Sequence, residues 1–385
     1  MIKLVTIIGA RPQIIKAAAI SRAIRNHHSG TIKEIIVHTG QHYDANMSQV
    51  FFGELGIPRE DHNLNVGSGS HGKQTATMIA GIEEILLKEK PDAIVLYGDT
   101  NSTLAGAVAA SKIHVPVVHI EAGLRSFNKS MPEEVNRIMC DHVSTLLFSP
   151  TKTGFSNLVK EGFRADASPP FTADNPRIYH CGDVMYDNSL YFSDVADKKA
   201  EWLKALQLGD KGFILATIHR NNNTDEPERL NALFGALQEI SAKRDIAVVL
   251  PLHPRTAKLL DTTLDKVLLK SIRNNPRFRI IEPASFLEMV ILEKNCTLVM
   301  TDSGGVQKEA FYFQKPCVIL RPETEWVELV ECGTAVIADA DKDLIIAAFD
   351  KLSGRAGLSY PGFYGDGKAA EFICQEIVTV FGKVR

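Results

Sequence analysis

The sequence carries no excess of basic charge. Its 43 Lys and Arg are outnumbered by 46 Asp and Glu, for a formal net charge of −3. Non-specific binding to DNA or RNA needs a cationic surface that neutralises phosphates, so that class of partner is excluded. Long hydrophobic runs are missing as well: no apolar stretch approaches the ~20 residues needed to span a bilayer, and no membrane association is expected. The opening stretch Met1–Ile8 is too short and too soon interrupted to read as a secretory signal. Close cysteine pairs are also absent. The six cysteines (Cys140, Cys181, Cys296, Cys317, Cys332 and Cys374) are scattered. That pattern fits neither a zinc site nor a disulfide framework. It implies a reduced, cytoplasmic protein with no zinc site; no other metal and no cofactor are expected.

What is present is a soluble globular composition, 45% apolar and 23% charged, over 385 residues, enough for two domains. Apolar strands alternate with helical patterns throughout, which predicts an α/β protein. Leu4–Ile8 reads as a buried strand, followed by Gly9-Ala10-Arg11-Pro12 and a helix through Ile24. Arg11 and Lys16 then lie at the mouth and first turns of that helix. The turn after the first strand is a preferred ligand position in open α/β sheets, although two solvated side chains would look the same. A second strand, Ile35–Val37, ends in His38-Thr39-Gly40-Gln41-His42-Tyr43-Asp44. There His42 and Tyr43 are either site residues or caps of a helix over Met47–Leu55. Ala93–Tyr97 leads into Gly98-Asp99, and Val117–Ile120 into Glu121. Met131-Pro132-Glu133-Glu134 opens another helix. Each acid alone has a bland explanation as a cap or dipole partner. Asp99, Glu121 and Glu133 on one edge of one sheet form a carboxylate cluster, the kind of arrangement that separates acid and base roles.

Arg164–Pro176, with three prolines, is the best linker, and it places a domain boundary near Asp174. The rhythm then restarts. Phe213–Thr217 ends in Ile218-His219-Arg220, with His219 a candidate acid/base, phosphate donor or structural histidine. Ala247–Leu250 precedes His253. A helix starting near Ser285 carries Phe286, a base-stacking candidate whose default role is core packing. Thr297–Met300 runs into Thr301-Asp302-Ser303-Gly304-Gly305 and a helix containing Glu309. Two glycines, a hydroxyl and the positive end of a helix favour an anion there, and a diphosphate suits it. Arg321, after the strand Cys317–Leu320, is placed to add charge to that site. A final helix, 368–385, can dock back on the first domain.

These motifs together resemble the non-hydrolysing UDP-N-acetylglucosamine 2-epimerase family over essentially the whole chain. They are GARPQIIK (Gly9–Lys16), TGQHYD (Thr39–Asp44), YGDTNST (Tyr97–Thr103), HIEAGLRS (His119–Ser126), MPEEVNR (Met131–Arg137), IHR (Ile218–Arg220), LHPR (Leu252–Arg255) and TDSGGVQKEA (Thr301–Ala310). The resemblance implies two Rossmann-like domains facing a cleft in the glycosyltransferase B-type fold, here 1–173 and 174–367. It implies inversion at carbon two of a UDP-linked 2-acetamido sugar, by elimination and re-addition of UDP, for surface polysaccharide precursors, and a homodimer. It assigns acid/base positions to Asp99, Glu121, Glu133 and His219. It assigns UDP-sugar contacts to Arg11, Lys16, His253, Phe286, Ser303, Gly304, Gly305, Glu309 and Arg321.

Several motifs depart from the commonest family form: GARPQ for GTRPE, HRNNNTDEPERL for HRREN, and TEWVE for TERPE. The loop Ser126–Met131 is short. This pattern is similar to the branch acting on UDP-2,3-diacetamido-2,3-dideoxyglucuronate, which leaves a neutral sugar and a uronate both open. A hydrolysing epimerase or a glycosyltransferase shares the fold, because fold alone does not separate these chemistries.

Overall fold

A computed structural model describes residues 1–40, 56, 58–197, 201–206, 208, 212–252, 254–355 and 357–382. The chain divides into two compact units, Met1–Asn188 with Gly362–Arg385, and Ser189–Pro361. Each is built on its own parallel sheet.

The first unit's sheet has the order β3-β2-β1-β4-β5-β6-β7. Its strands are β1 (Ile2–Ile8), β2 (Ile32–His38), β3 (His62–Asn63), β4 (Ala93–Tyr97), β5 (Val117–Ile120), β6 (Leu146–Ser149) and β7 (Arg177–His180). The alternation of strand and helix in sequence implies an α/β sheet, though not this strand order. A parallel sheet covered by helices on both faces needs strands apolar on both sides, and β4, β5 and β6 are buried at every residue. Val5, Ile7, Ile94 and Leu96 pack with Met78, Ile82 and Leu86 of the helix His71–Glu89. Each such side chain stabilises the fold by about 1.5–3 kcal/mol. β3 has only two residues, too few for a sequence pattern to show.

The second unit's sheet has the order β10-β9-β8-β11-β12-β13. Its strands are β8 (Phe213–Thr217), β9 (Ala247–Pro251), β10 (Phe278–Ile281), β11 (Leu298–Thr301), β12 (Cys317–Ile319) and β13 (Ala335–Ile337). Its core joins Ile214, Val248, Leu250, Met300 and Val318 to Leu233, Phe234 and Leu237 of the helix Pro227–Arg244.

The proline-containing segment after the helix Lys152–Lys160 is a loop tied down within the first unit. Arg177 donates to the carbonyls of Ala165 and Ala167, and Asn175 to those of Ser168 and Pro170. It leads into β7, which pairs with β6, so the division falls later than Asp174, inside the helix Val184–Asp197. The C-terminal helix Ala369–Phe381 belongs to the first unit. Asp187 receives the Ala369 and Ala370 N–H groups at its start (3.2 and 2.7 Å).

In each sheet the connections leave one strand pair in opposite directions: β1 and β4 in the first, β8 and β11 in the second. The carboxyl ends of such pairs are where ligands bind in open α/β sheets. Residues 9–11 and 98–99 occupy that place in the first unit, and residues 218–220 and 302–305 in the second. No helix among the described residues is long and apolar enough to cross a membrane. All six cysteines are free.

Candidate active site

In the first unit, the turn after β1 is built around Gln13. Its Oε1 accepts the Gly9 and Ala10 N–H groups (2.9 and 3.1 Å). Its Nε2 donates to the Tyr97 carbonyl and to Thr103 Oγ1 (both 3.0 Å). This one buried amide locks the ends of β1 and β4 together, and it uses donors that a carboxylate lacks. A Cβ on Gly9 would collide with Thr39 Oγ1 and Ser102 Oγ, so only glycine fits there.

Arg11 opens the helix Arg11–Ala23 and is exposed. Lys16, one turn further in and buried, directs its ammonium onto the Glu121 carboxylate. Glu121 itself sits in a left-handed conformation, φ +75°. A non-glycine residue there carries strain of order 1–3 kcal/mol, which the surroundings must hold in place. Its Oε2 would lie 3.0 Å from a Cβ on Gly98, and Lys16 Nζ 3.1 Å from it. Gly98 is therefore a gap into which the ion pair fits.

Asp99 follows Gly98 and binds Arg137 at 2.6 Å, while its carbonyl accepts the Asn136 amide at 2.9 Å. Both partners come from the helix Pro132–Asp141. Of the two acids opening that helix, Glu134 is structural. It is buried and accepts from Ser126 N–H and Oγ, from Phe127 N–H and from Arg137 (2.8, 3.0, 3.0 and 2.9 Å). Burial alone would raise its pKa, but these donors hold it below the usual carboxylate range. Glu133 beside it is exposed. Asp99, Glu121 and the Glu133 helix thus gather at one sheet edge, through Lys16 and Arg137. Neither contact was derived from the sequence pattern.

In the second unit, His219 follows β8. Its Nδ1 lies 2.9 Å from Asp302 Oδ1. Asp302 is wholly buried and also accepts the His219 and Arg220 N–H groups (3.0 Å each to Oδ2) and the Asn223 amide (3.2 Å). Burial opposes ionisation of Asp302, but the bonds from His219 and the backbone outweigh it and keep its pKa depressed. A carboxylate on Nδ1 fixes the tautomer. The sequence reading quoted Asp302 without giving it a role. The signal was an acid at the end of one strand and a histidine at the end of another, but nothing in the sequence showed that those strands are neighbours.

Ser303 caps the helix Gly304–Tyr312, accepting the Val306 N–H at 3.5 Å. Gly304 and Gly305 then supply the first N–H groups of that helix, which point outward without intrahelical acceptors. Glu309 is partly exposed on the same helix. Arg321 binds Glu325 at 3.0 Å, and a Cβ on Gly304 would meet Glu325 Oε1 at 2.5 Å. The Glu325 carboxylate is therefore held over the helix start. Phe286 is buried edge-to-face against Phe192, ring centroids 5.2 Å apart, which is the core packing its sequence context had left open. His253, His42 and Tyr43 lie outside the described residues. Among the described residues no group of three or more His, Cys, Asp and Glu could hold a metal ion.

Two parallel-sheet units, each with polar groups at its switch point, define an α/β protein of the glycosyltransferase B-type class with Rossmann-like domains. At the level of fold alone, the chain is similar to a ugt transferase from Siraitia grosvenorii solved with UDP (TM-score 0.59, 13% identity, 100% of this chain and 96% of that one). The sequence profile of the UDP-N-acetylglucosamine 2-epimerase family matches residues 23–378. The chain is similar to the UDP-2,3-diacetamido-2,3-dideoxy-D-glucuronate 2-epimerase of Pseudomonas aeruginosa, 49% identical over 97% of this chain and 98% of that protein. It is also similar to the Methanocaldococcus jannaschii UDP-GlcNAc 2-epimerase, whose crystal structure in complex with UDP-GlcNAc and UDP superposes with a TM-score of 0.85 (40% identity, 98% of this chain and 100% of that one). The chain belongs to the UDP-N-acetylglucosamine 2-epimerase family.

Proposed function

We propose that the protein is an isomerase that interconverts UDP-N-acetylglucosamine and UDP-N-acetylmannosamine, with no added cofactor. The supporting observation is the division of chemistry between the two switch points: carboxylates held by cations in the first unit, and an anion-receptive helix start beside a carboxylate-backed histidine in the second.

The proton on carbon two of the sugar is not acidic, so a base alone is slow. Departure of UDP makes the sugar cation-like and loosens that proton. The enzyme must then stabilise a developing diphosphate and hold proton-transfer groups at carbon two. Gly304 and Gly305 N–H groups, with Ser303, serve the diphosphate, and Glu309 the ribose hydroxyls, since a carboxylate accepts from a diol. Arg321 and Arg11 add positive charge, Arg321 after release from Glu325. His219, oriented by Asp302, supplies an imidazole. Asp99, Glu121 and Glu133 carry the acid/base work, with Lys16 governing Glu121. Re-addition of UDP after proton delivery to the opposite face gives the epimer.

The test is incubation with UDP-N-acetylglucosamine in deuterium oxide, followed by proton NMR. Epimerisation with deuterium at carbon two and no build-up of UDP is the expected result. Net release of UDP and free sugar would make the protein a hydrolase and overturn the reading.

A second reading has one observation behind it: the Pseudomonas relative, named for the diacetamido uronate, is 49% identical, against 40% for the Methanocaldococcus structure. Turnover of that uronate in the same assay, without turnover of the neutral sugar, would select it. The free cysteines favour a reducing cytoplasm. A homodimer and a role in surface polysaccharide precursors follow from the family resemblance, and light scattering checks the first.

A further inference from the structure

His119 on β5 is wholly buried, yet both its ring nitrogens have partners. Nδ1 lies 2.7 Å from Asp141 Oδ1, and Nε2 lies 2.8 Å from the Gly98 carbonyl oxygen. A carbonyl only accepts, and so does an ionised carboxylate. The surroundings of Asp141 are those of an ionised group. Its Oδ2 takes the Gly123 N–H at 3.1 Å and the Arg125 guanidinium at 2.7 Å. Arg125 in turn forks onto Glu161 with two bonds of 2.7 Å. A neutral imidazole has one N–H. Either neutral tautomer would leave two lone pairs opposed at these distances in a dry interior, which is costly. Only the imidazolium donates to both. With it, the cluster holds two cations, His119 and Arg125, and two anions, Asp141 and Glu161. Burial alone would push the His119 pKa down, but neighbouring Cys140 and the Asp141 carboxylate reverse that and place it well above the usual histidine value.

A buried ionic cluster is weak evidence for stability, because an apolar replacement often serves as well. Its connections suggest another role. The Gly98 carbonyl belongs to the peptide bond that leads into Asp99, and Gly98 itself is left-handed, φ +60°. Glu121 follows His119 by two residues, is also left-handed, and is fixed by its N–H to the Phe148 carbonyl at 3.0 Å. Asp141 ends the helix that supplies Arg137 to Asp99. His119 is thus bonded both to the Gly98–Asp99 turn and to the end of that helix.

We propose that His119 is a positioning residue held as the imidazolium, clamping the Gly98–Asp99 peptide to Asp141 and so setting Asp99 against Glu121. This rests on the reading of those two acids as the proton-transfer groups. A neutral replacement removes one of the bonds that hold this turn, beside those from the Gly98 N–H to the Ile120 carbonyl (3.0 Å) and from Asn136 to the Asp99 carbonyl (2.9 Å), and misplacement by about 1 Å costs on the order of 100-fold in rate.

The test combines NMR and kinetics on the full chain. In protein labelled with nitrogen-15 at histidine, one of the 12 histidines should keep both ring nitrogens protonated at pH 8.5. That signal should vanish in His119→Gln and take on neutral-ring shifts in Asp141→Asn. Both variants should lose at least about tenfold in kcat, with KM within about twofold, and the acid limb of the kcat profile should move. A purely structural role would lower Tm and the folded fraction without moving that limb. Should His119→Gln not fold, the wild-type spectrum and Asp141→Asn decide the matter. A neutral His119 ring at pH 8.5 in wild type overturns the proposal, as does a folded variant with kcat within about threefold of wild type. Failure of the wild type to epimerise any UDP-sugar would instead refute the functional reading, with the NMR result standing apart.

Discussion

Asp302→Asn separates the orientation of His219 from its presence. In the native site the carboxylate accepts four groups: His219 Nδ1, the His219 and Arg220 N–H groups, and the Asn223 amide. An asparagine offers one oxygen, and its NH₂ must face at least one of those donors. A buried donor left without an acceptor costs about 1–3 kcal/mol, so stability should fall by about that amount. The catalytic loss arises from His219. Without the Asp302 charge beside Nδ1 the ring has no fixed tautomer, and the proton can sit on Nε2 instead. If orientation is worth as much as one unpaired donor, about 2.7 kcal/mol, kcat should drop about 100-fold at 1.36 kcal/mol per decade. KM should change little, because the glycine turn and Ser303 remain. The assay is initial-rate epimerisation followed by NMR, with circular dichroism confirming the fold. A double-mutant cycle sharpens it. If Asp302 acts through His219, then His219→Ala with Asp302→Asn should be no slower than His219→Ala alone. A folded Asp302→Asn enzyme with kcat within about threefold of wild type would refute the reasoning, as would full additivity in the cycle.

Four further outcomes follow from the same geometry. Ser303→Ala with Glu309→Ala should weaken UDP binding by about tenfold or more in calorimetry, and unchanged affinity would remove the helix start from the UDP site; the lost cap alone should cost about 1 kcal/mol of stability. Arg137→Met should leave Asp99 and buried Glu134 without their guanidinium, lowering both kcat and Tm, whereas a surface ion pair would barely register. Gly9→Ala should destabilise by about 2 kcal/mol or more in urea titration, since Thr39 and Ser102 are in its way and a tight interior does not yield freely. Asp187 is the pH probe. Burial pushes its pKa up to about 6, against an ordinary 3.8, and the Ala369 and Ala370 N–H groups only partly offset that. A raised carboxylate pKa means the folded chain holds the proton more tightly. This term therefore adds stability as pH falls from about 6 toward 4, and the gain is absent at pH 8. Asp187→Asn should flatten the dependence of Tm on pH in that window, and an unchanged slope would rule the assignment out.

The fold was legible because parallel strands are apolar on both faces and read as short continuous runs. Val117–Ile120, Leu146–Ser149 and Phe213–Thr217 end where the sequence pattern ended them. The pattern cannot show which strands are neighbours, and that decides how the site works. His219 and Asp302 lie 83 residues apart in sequence, and Lys16 and Glu121 lie 105 apart; each pair meets only because β8 lies beside β11 and because β1 and β5 flank β4. The boundary near Asp174 was misplaced for a related reason. Prolines and small polar residues mark a turn, but they do not say whether the next strand joins the old sheet or starts a new one, and β7 joins the old one. The motif residues point to the chemistry and the strand order supplies their partners. The residues that sequence reading left without a role are accordingly those whose function is to hold others. Gln13 joins two strand ends, Arg137 holds Asp99, Asp302 turns His219, and His119 fixes the peptide before Asp99. None of them must touch a ligand, and substitution at each should act on kcat through geometry more than on KM through binding.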